Sequence, residues 1–434
     1  MHRCKFRGNV FANQKWYSRD AMVLFDRHKR KRSNNSTNKV TKVITMVNIK
    51  ELDKQYVMNT YGRQDLTIER GRGCILYGDD GKEYIDFGSG IGTLSLGTAD
   101  EGYIDAITQQ LYKTQHVSNY FTCEPVARLA EKICTLSGFD KVFFANSGAE
   151  ANEGAIKLAR KYSFDKYGKN RSTIITFNSS FHGRTITTLA ATGQDNFHDF
   201  FFPFTEGFKY SPYNDKEAFL ESLTDDICAV MFECIQGEGG VNVMEDGFAK
   251  LVFEECNKRD ILIICDEIQT GIARTGTLFC FENYGIKPDI FTLAKGLCGG
   301  MPCGAFVANE KCSSVLTKGQ HGSTFGGNPV ACAAGNYVLD KVSSPAFLDE
   351  VKAKGEYLMK KLRELNKETI IEVRGKGLMI GIKTSLVPSD VSKKALESGL
   401  IVLTAGKDVV RLLPPLVISY EEIDKSVEIL AQIF

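Results

Sequence analysis

Short apolar runs alternate with amphipathic segments through the middle of this chain. Between residues 100 and 340 the segments between the runs carry apolar residues at helical spacing, as at positions 151, 155, 158, 159 and 162. Such alternation is typical of a mostly parallel sheet that is covered by helices on both faces. The pattern therefore predicts an α/β domain. Its predicted strands cover residues 141–145, 173–177, 229–233, 261–266 and 290–294.

The two ends of the chain have a different pattern. Residues 75–87 place a polar, glycine-rich turn between two apolar runs, which predicts a β-hairpin. After residue 340 we predict a smaller α+β unit, with an amphipathic helix over 347–366, strands at 371–373 and 378–383, and a closing helix from Glu421. The predicted division is a leader at 1–45, an N-terminal segment of the small domain at 46–100, a large domain at 101–339 and a C-terminal small domain at 340–434.

Charge is distributed unevenly along the 434 residues. The formal net charge is +1, so no overall field favours nucleic acid or a membrane surface, and we expect small-molecule substrates. Residues 1–45 nevertheless hold 12 Lys or Arg against only Asp20 and Asp26. This leader lacks apolar periodicity, and we expect it to be disordered and no part of the fold. It is interpreted as a mitochondrial presequence, as a tail, or as sequence upstream of a working start at Met46.

The cysteine and histidine residues bear on compartment and metal content. Thirteen Cys are scattered without a C-x-x-C pair, and Cys228 and Cys265 stand inside apolar runs. We therefore expect reduced, buried thiols and a cytoplasmic protein, or a matrix protein if the leader is a presequence. The six His show no ligand spacing, so no metal site is predicted. No apolar run approaches the roughly 20 residues of a membrane span.

A small-residue turn after the first predicted strand is the first candidate for chemistry. Ser147, Gly148 and Ala149 precede a helical pattern, and the start of a helix attracts anions such as phosphate through its free N–H groups and its dipole. The alternative is an ordinary helix start with a capping box between Ser147 and Glu150.

Two further candidates stand at the ends of apolar strands. Asp266 ends the run 261–266, where α/β folds place their ligands, and a buried carboxylate there needs a partner. That partner could be a helix start, an Arg or a pyridinium N–H, and Gln269 could reach a neighbouring phenolic oxygen. Lys295 follows the run 290–294 and is either a surface lysine or an amine that apolar surroundings make nucleophilic.

Two loop segments complete the candidates. Phe181 and Arg184 offer an aromatic face and a guanidinium fork for a carboxylate, unless this is simply a solvated loop. Ser323 and Thr324 lie in a glycine-rich loop that can donate hydroxyl and backbone hydrogen bonds to phosphate.

Together and in this order, these segments resemble the class-III aminotransferases, which belong to fold type I of the pyridoxal-phosphate enzymes. The resemblance runs from about Lys50 onward and implies an α/β large domain with a mostly parallel seven-stranded sheet, plus a smaller α+β domain built from both chain ends. It implies that Lys295 carries pyridoxal 5'-phosphate as a Schiff base and moves the proton. By the same resemblance, Asp266 pairs with the pyridine nitrogen and Gln269 contacts the phenolic oxygen.

The resemblance also assigns the remaining cofactor contacts. It implies that Gly148 and Ala149 hold the phosphate and that Phe181 and Ile268 enclose the ring. Thr324 would reach the phosphate from a partner subunit, so a homodimer with active sites shared across the interface is expected. Ala149 stands where the family usually has Thr, which removes a hydroxyl and keeps the backbone donors.

Substrate contacts follow from the same resemblance. It implies that Arg184 binds a substrate carboxylate, with Tyr61 and Ser323 as further substrate contacts. Glu233 and Arg411 match a pair whose salt bridge opens for the glutamate half-reaction; the alternative is a plain structural ion pair.

The resemblance favours transamination of N2-acetyl-L-ornithine with 2-oxoglutarate, because Ile91 offers no hydrogen bond to a free α-amine. Succinylornithine, ornithine and 4-aminobutyrate are alternative amino donors, and a glutamate-1-semialdehyde-type aminomutase is an alternative reaction class.

Overall fold

The computed structural model describes residues 48–434, so the predicted leader at 1–45 lies outside the described residues. The chain divides into two units at Gly62. The described part of the first unit contains helix α1, Ile49–Tyr56, which begins where the Asn48 side chain accepts hydrogen bonds from two backbone N–H groups. The second unit, residues 63–434, contains the other elements described below.

The strands of the second unit are, in chain order, β1 (Ile68–Arg72), β2 (Ile75–Gly78), β3 (Glu83–Asp86), β4 (Lys141–Ala145), β5 (Thr173–Phe177), β6 (Phe208–Ser211), β7 (Ile227–Phe232), β8 (Ile235–Gln236), β9 (Asn242–Val243), β10 (Leu262–Asp266), β11 (Ile290–Leu293), β12 (Gly304–Ala308), β13 (Ile370–Lys376), β14 (Met379–Thr384), β15 (Leu400–Ile401), β16 (Leu403–Ala405) and β17 (Val409–Leu412). Its longer helices are α2 (Glu101–Lys113), α3 (Glu124–Ser137), α4 (Gly148–Tyr167), α5 (Ile186–Ala191), α6 (Lys216–Ser222), α7 (Asp246–Lys258), α8 (Pro329–Val342), α9 (Pro345–Glu364), α10 (Pro388–Glu397) and α11 (Tyr420–Ile433).

A seven-stranded sheet forms the centre of this unit, in the order β4-β12-β11-β10-β7-β5-β6. Its neighbours pair in parallel except at β12, which is antiparallel to both β4 and β11. The predicted mostly parallel sheet is therefore confirmed. Strands β6 and β12 were not predicted from the sequence. The connection from β11 to β12 is shorter than the dozen or more residues that a parallel crossover needs, which accounts for the reversed direction of β12.

Strand β10 shows why the middle of the chain is so apolar. Its residues alternate between two hydrophobic clusters, with Ile263 and Cys265 in one and Leu262 and Ile264 in the other. A strand that is buried on both faces needs apolar side chains at every position. Asp266 is the exception, at the carboxyl end of the strand.

Two smaller sheets join distant parts of the sequence. The predicted hairpin at 75–87 is confirmed as β2 and β3, and β3 pairs in parallel with β15. This pairing brings the N-terminal hairpin and the C-terminal segment together. The second sheet has the order β13-β14-β17-β16 and carries Arg411 on β17.

The described cysteines are free thiols, and both Cys228 and Cys265 are buried as predicted. Over residues 48–434, none of the helices combines the length and the apolar character that crossing a membrane requires.

Candidate active site

The carboxyl ends of two neighbouring strands bring Asp266 and Lys295 to one edge of the central sheet. Asp266 is the last residue of β10 and stands in register with Thr292 on β11. Lys295 follows β11 closely and begins a short 3₁₀ helix, Lys295–Cys298, with a positive φ of 36°. Because parallel strands end at the same edge of a sheet, two residues that are distant in sequence meet here.

Three donors hold the Asp266 carboxylate. Its Oδ2 accepts a hydrogen bond from Asn152 Nδ2 at 2.8 Å and lies 2.8 Å from His182 Nδ1, while Oδ1 accepts from the N–H of Ile268 at 3.0 Å. With Nδ1 protonated, His182 donates to the carboxylate; its buried Nε2 has no hydrogen-bond partner among the described residues. Fixed in this way, the buried Asp266 carboxyl group can pair with a ring nitrogen. Sequence reasoning assigned no role to Asn152 or His182.

The surroundings of Lys295 affect the charge of its amine. Burial lowers its pKa below the ordinary lysine value, and Arg411 adds to this effect. The carboxylates of Glu238, Asp266 and Glu233 oppose the shift without cancelling it. A larger neutral fraction of the amine follows, and the neutral amine is the form that attacks a carbonyl.

The predicted phosphate cradle lies at the start of α4 and stays a prediction. Ser147 caps the helix by accepting from the N–H of Glu150 at 3.2 Å. The Glu150 carboxylate bonds the backbone and side chain of Asn146 instead of returning to Ser147, so the reciprocal capping box is not formed. A Cβ on Gly148 would come within 2.8 Å of Ile268 Cδ1, which shows how closely Ile268 packs on the cradle. The first-turn N–H groups have no acceptor within the helix and can bind an anion.

Phe181 and Arg184 lie together on the loop after β5. The N–H of Phe181 donates to Glu233 Oε2 at 3.0 Å, which ties this loop to the end of β7. Arg184 is exposed, and its guanidinium lies over the rings of Phe181 and Phe197.

Arg411 is paired with Glu238, and the predicted pairing with Glu233 is wrong. Arg411 Nη1 donates to Glu238 Oε1 at 2.6 Å and Nη2 to Oε2 at 3.1 Å. Gln269 joins the pair, because its Oε1 accepts from Arg411 at 3.0 Å and its Nε2 donates to Glu238 at 3.2 Å. Burial opposes the charge on Glu238, but Arg411 outweighs it and lowers the pKa of that carboxyl.

Glu233 has a different environment from Glu238. It is buried, and its carboxylate accepts the N–H groups of Phe181 and Gly237. Burial and the neighbouring Asp266 raise its pKa well above the usual value. The physical reason for the corrected pairing is the turn between β8 and β9, which follows Glu233 and carries Glu238 toward β17.

The remaining predicted substrate and phosphate contacts stay predictions. Ser323 Oγ accepts from Asn146 Nδ2 at 3.1 Å, which brings its loop to the start of α4, and Thr324 beside it is exposed. Tyr61 is exposed and belongs to the N-terminal unit.

Ile91 occupies a turn beside the site. It has a φ of 64° and is 46% exposed, in the helical turn Ser89–Gly92 that Asp86 fixes by accepting two backbone N–H groups. A Cβ on Gly92 would lie 4.0 Å from Gln269 Cγ, so this turn borders the Arg411 cluster.

One group of metal-ligating atoms occurs within residues 48–434, formed by Cys234, Cys265 and Glu267. The Glu267 carboxylate already accepts the N–H groups of Cys280 and Phe281 and the hydroxyl of Thr270. Burial raises the pKa of Cys265 to about 12, so it is a thiol rather than a thiolate ligand at neutral pH. The hydrogen bonds of Glu267 are therefore made within the fold.

A family model for class-III aminotransferases matches residues 56–434. The chain belongs to the class-III aminotransferases. An acetylornithine aminotransferase of Haemophilus ducreyi is 51% identical over 393 residues, covering 90% of this chain and 99% of the relative. One from Methanocaldococcus jannaschii is 44% identical over 386 residues, covering 88% of this chain and 97% of the relative.

Solved structures of other class-III aminotransferases share the fold. The ornithine aminotransferase of Toxoplasma gondii ME49 has a TM-score of 0.85 at 33% identity, covering 89% of this chain and 94% of that one. The N-acetylornithine aminotransferase of Stenotrophomonas maltophilia K279a has a TM-score of 0.77 at 35% identity, covering 88% of this chain and 97% of that one. The predicted fold type I architecture is confirmed.

Class-III aminotransferases depend on pyridoxal phosphate, and the residues described above fit that cofactor. Asp266 would hold the ring nitrogen, Lys295 would supply the amine for covalent attachment, and the start of α4, where Ile268 packs against Gly148, would hold the phosphate. When bound, the cofactor supplies an electron sink for the removal of a proton beside the substrate nitrogen.

Proposed function

We propose that this class-III aminotransferase transfers the δ-amino group of N2-acetyl-L-ornithine to 2-oxoglutarate. The products are N-acetyl-L-glutamate 5-semialdehyde and L-glutamate, and the reaction belongs to arginine biosynthesis. Relatives at 42–51% identity over most of the chain carry the name acetylornithine aminotransferase, which supports this choice of amino donor.

The contrast between the two arginines carries the proposal. Arg184 is exposed, whereas Arg411 is buried and neutralised by Glu238. While Arg411 is paired, only the guanidinium of Arg184 is open to a substrate carboxylate. This suits a donor that has one carboxylate and a remote amine. Glutamate and 2-oxoglutarate carry two carboxylates, and release of Arg411 from Glu238 supplies a second guanidinium to bind the second carboxylate. One site then serves both half-reactions.

Lys295 has two tasks in this scheme. Its amine would hold the cofactor covalently between turnovers, and its Nζ would move a proton at the substrate carbon that bears the amine. The lowered pKa of Lys295 suits the second task, because a base works best when its pKa lies near the working pH.

The proposed active unit is a homodimer in which Thr324 binds the cofactor phosphate of the partner subunit. Large apolar side chains are exposed near Thr324 in sequence and along the groove that its loop lines, including Tyr120 at 94% and Phe325 at 60%. An apolar surface of this kind, built by residues of an active-site loop, favours burial in an interface.

The deciding experiment compares amino donors at fixed 2-oxoglutarate. We expect kcat/KM to be highest for N-acetylornithine among N-acetylornithine, N-succinylornithine, ornithine and 4-aminobutyrate. A higher value for one of the other donors would reassign the substrate. Steady turnover without any oxo acid would replace the transamination with an aminomutase reaction.

A further inference from the structure

Phe197 contacts the proposed carboxylate site, although no motif includes it. It ends the short 3₁₀ helix Asp195–Phe197. The Arg184 Cζ atom lies 4.3 Å from the centroid of the Phe197 ring and 5.6 Å from that of Phe181. The two rings are 6.0 Å apart and nearly perpendicular. Arg184 therefore lies over the faces of two aromatic rings, and Phe197 is the nearer.

The segment that carries Phe197 is bonded to the loop that carries Arg184. The N–H of Ser179 donates to the carbonyl of Gly193 at 2.7 Å, and the N–H of Gly193 donates to Ser180 Oγ at 3.0 Å. The Gln194 side chain donates to the carbonyl of Ser180 at 2.9 Å. These bonds fix the positions of both sides of the stack, so the contact does not depend on exposed side chains alone.

Stacking on a ring leaves the N–H groups of an arginine open, whereas an ion pair occupies them. No hydrogen bond or ion pair joins Arg184 to another residue within 48–434, so the in-plane N–H groups stay open to a ligand. The N–H groups of Arg411 are instead directed at Glu238 and Gln269. A stacked guanidinium can still bind a carboxylate through two parallel hydrogen bonds, because those bonds lie in its plane.

We propose that Phe197 is a positioning residue that holds Arg184 as a permanently open carboxylate fork in both half-reactions. This inference rests on the proposed function, in which every substrate carries a carboxylate for Arg184. A free arginine side chain loses rotamer freedom when it binds, and a ring that already restricts it reduces that loss. The effect is on substrate affinity and leaves the chemical step unchanged.

The test compares Phe197→Leu with wild type in the holoenzyme. Leu keeps an apolar side chain and removes the ring, and we expect KM to rise roughly two- to fivefold for both N-acetylornithine and 2-oxoglutarate at unchanged kcat. The Kd of glutarate, measured without turnover by titration of the cofactor absorbance, should rise by the same factor. Phe197→Tyr keeps the ring and should restore wild-type values. Phe200→Leu is the matched control, since its ring is 81% exposed in the same segment and takes no part in the stack.

A double-mutant cycle distinguishes a failure of this inference from a failure of the proposed function on which it rests. If Phe197 acts through Arg184, Phe197→Leu has no further effect on KM in an Arg184→Ala background. An equal rise in KM in both backgrounds, or no rise in the wild-type background, overturns the role of Phe197. If Arg184→Ala itself leaves KM unchanged, the carboxylate role of Arg184 in the proposed function fails as well. Thermal unfolding of each variant shows whether the segment still folds.

Discussion

Glu238 neutralises Arg411 in the closed site through hydrogen bonds of 2.6 and 3.1 Å. Glu233 lies five positions earlier, and among the described residues its carboxylate accepts only backbone N–H groups. We therefore expect an effect on donor preference when Glu238 is changed to Gln and none when Glu233 is, although both belong to one short segment.

Glu238→Gln removes the negative charge that pairs with Arg411. We expect kcat/KM for glutamate as amino donor to rise about tenfold relative to that for N-acetylornithine, because a charge-assisted hydrogen bond to the second carboxylate no longer competes with an internal anion. Glu233→Gln is the matched control. The Glu233 carboxylate contacts the N–H groups of Phe181 and Gly237 and not Arg411, so this change should leave the donor preference unchanged. A change in preference with Glu233→Gln and none with Glu238→Gln would restore the rejected pairing.

Lys295→Ala should reduce transamination by at least about a thousandfold, because it removes the only amine proposed to bind the cofactor covalently and to move the proton. The protein should stay folded, since burying this amine opposes its charged form. Steady-state assays measure transamination, absorbance near the visible edge measures bound cofactor, and circular dichroism measures folding. Lys295→Arg keeps a cation and should be as inactive. Turnover of the Ala variant at the wild-type rate would contradict the mechanism.

Reconstitution of apoenzyme should depend on pH through Lys295. The neutral amine attacks, so the rate of covalent attachment rises with pH up to the pKa of Lys295 and is constant above it. Burial lowers that pKa from 10.5, and the plateau should therefore begin below pH 10.5. Stopped-flow absorbance gives the rate, with Nα-acetyl-lysine as the reference amine. A rate that rises in parallel with the reference up to pH 10.5 would argue against the shift.

His182→Ala should weaken binding of pyridoxal phosphate about tenfold, since it removes a hydrogen bond worth roughly 1.5 kcal/mol to a buried carboxylate. His182→Asn keeps a donor near the position of Nδ1 and should recover most of the affinity. Equilibrium dialysis of the cofactor measures both variants. Equal affinity of the Ala variant and wild type would show that Asn152 and the Ile268 N–H suffice to hold Asp266.

Hybrid dimers test whether Thr324 acts across an interface. Lys295→Ala and Thr324→Ala are mixed under conditions that exchange subunits, at limiting cofactor. If Thr324 serves the partner subunit, each hybrid contains one site with both wild-type residues, and activity exceeds that of either parent. If Thr324 serves its own subunit, no hybrid site is complete and mixing restores nothing. Sedimentation analysis confirms that dimers are present.

Much of the central sheet could be predicted because its strands are buried on both faces and therefore appear as continuous apolar runs. Strands β4 and β5 were predicted with the bounds that the structure has. Strand β12 is as apolar but was not predicted, and its direction depends on the short connection from β11, which periodicity does not report. Asp266 and Lys295 could be found because each interrupts the pattern at the end of a strand.

The contacts among the site residues could not be predicted in the same way. Glu233 and Glu238 are equally polar in sequence, and only the turn between β8 and β9 determines which one reaches Arg411. No sequence pattern marks His182 or Phe197, because each meets its partner, Asp266 or Arg184, only in the folded structure. Hydrogen bonds between distant segments decide these roles, and local periodicity contains no information about them.

The position of Arg411 on β17, late in the chain, affects the order in which the parts of the site are made during synthesis. A ribosome releases Glu238 and Gln269 before it has made Arg411, which lies more than a hundred residues further along the chain. A nascent chain that ends before Arg411 therefore has the Glu238 carboxylate, whose side chain is 28% exposed in the finished fold, without its cation. The carboxylate–guanidinium pair forms only when β17 is complete. The lysine for the cofactor is thus made before the arginine that would set the choice of amino donor.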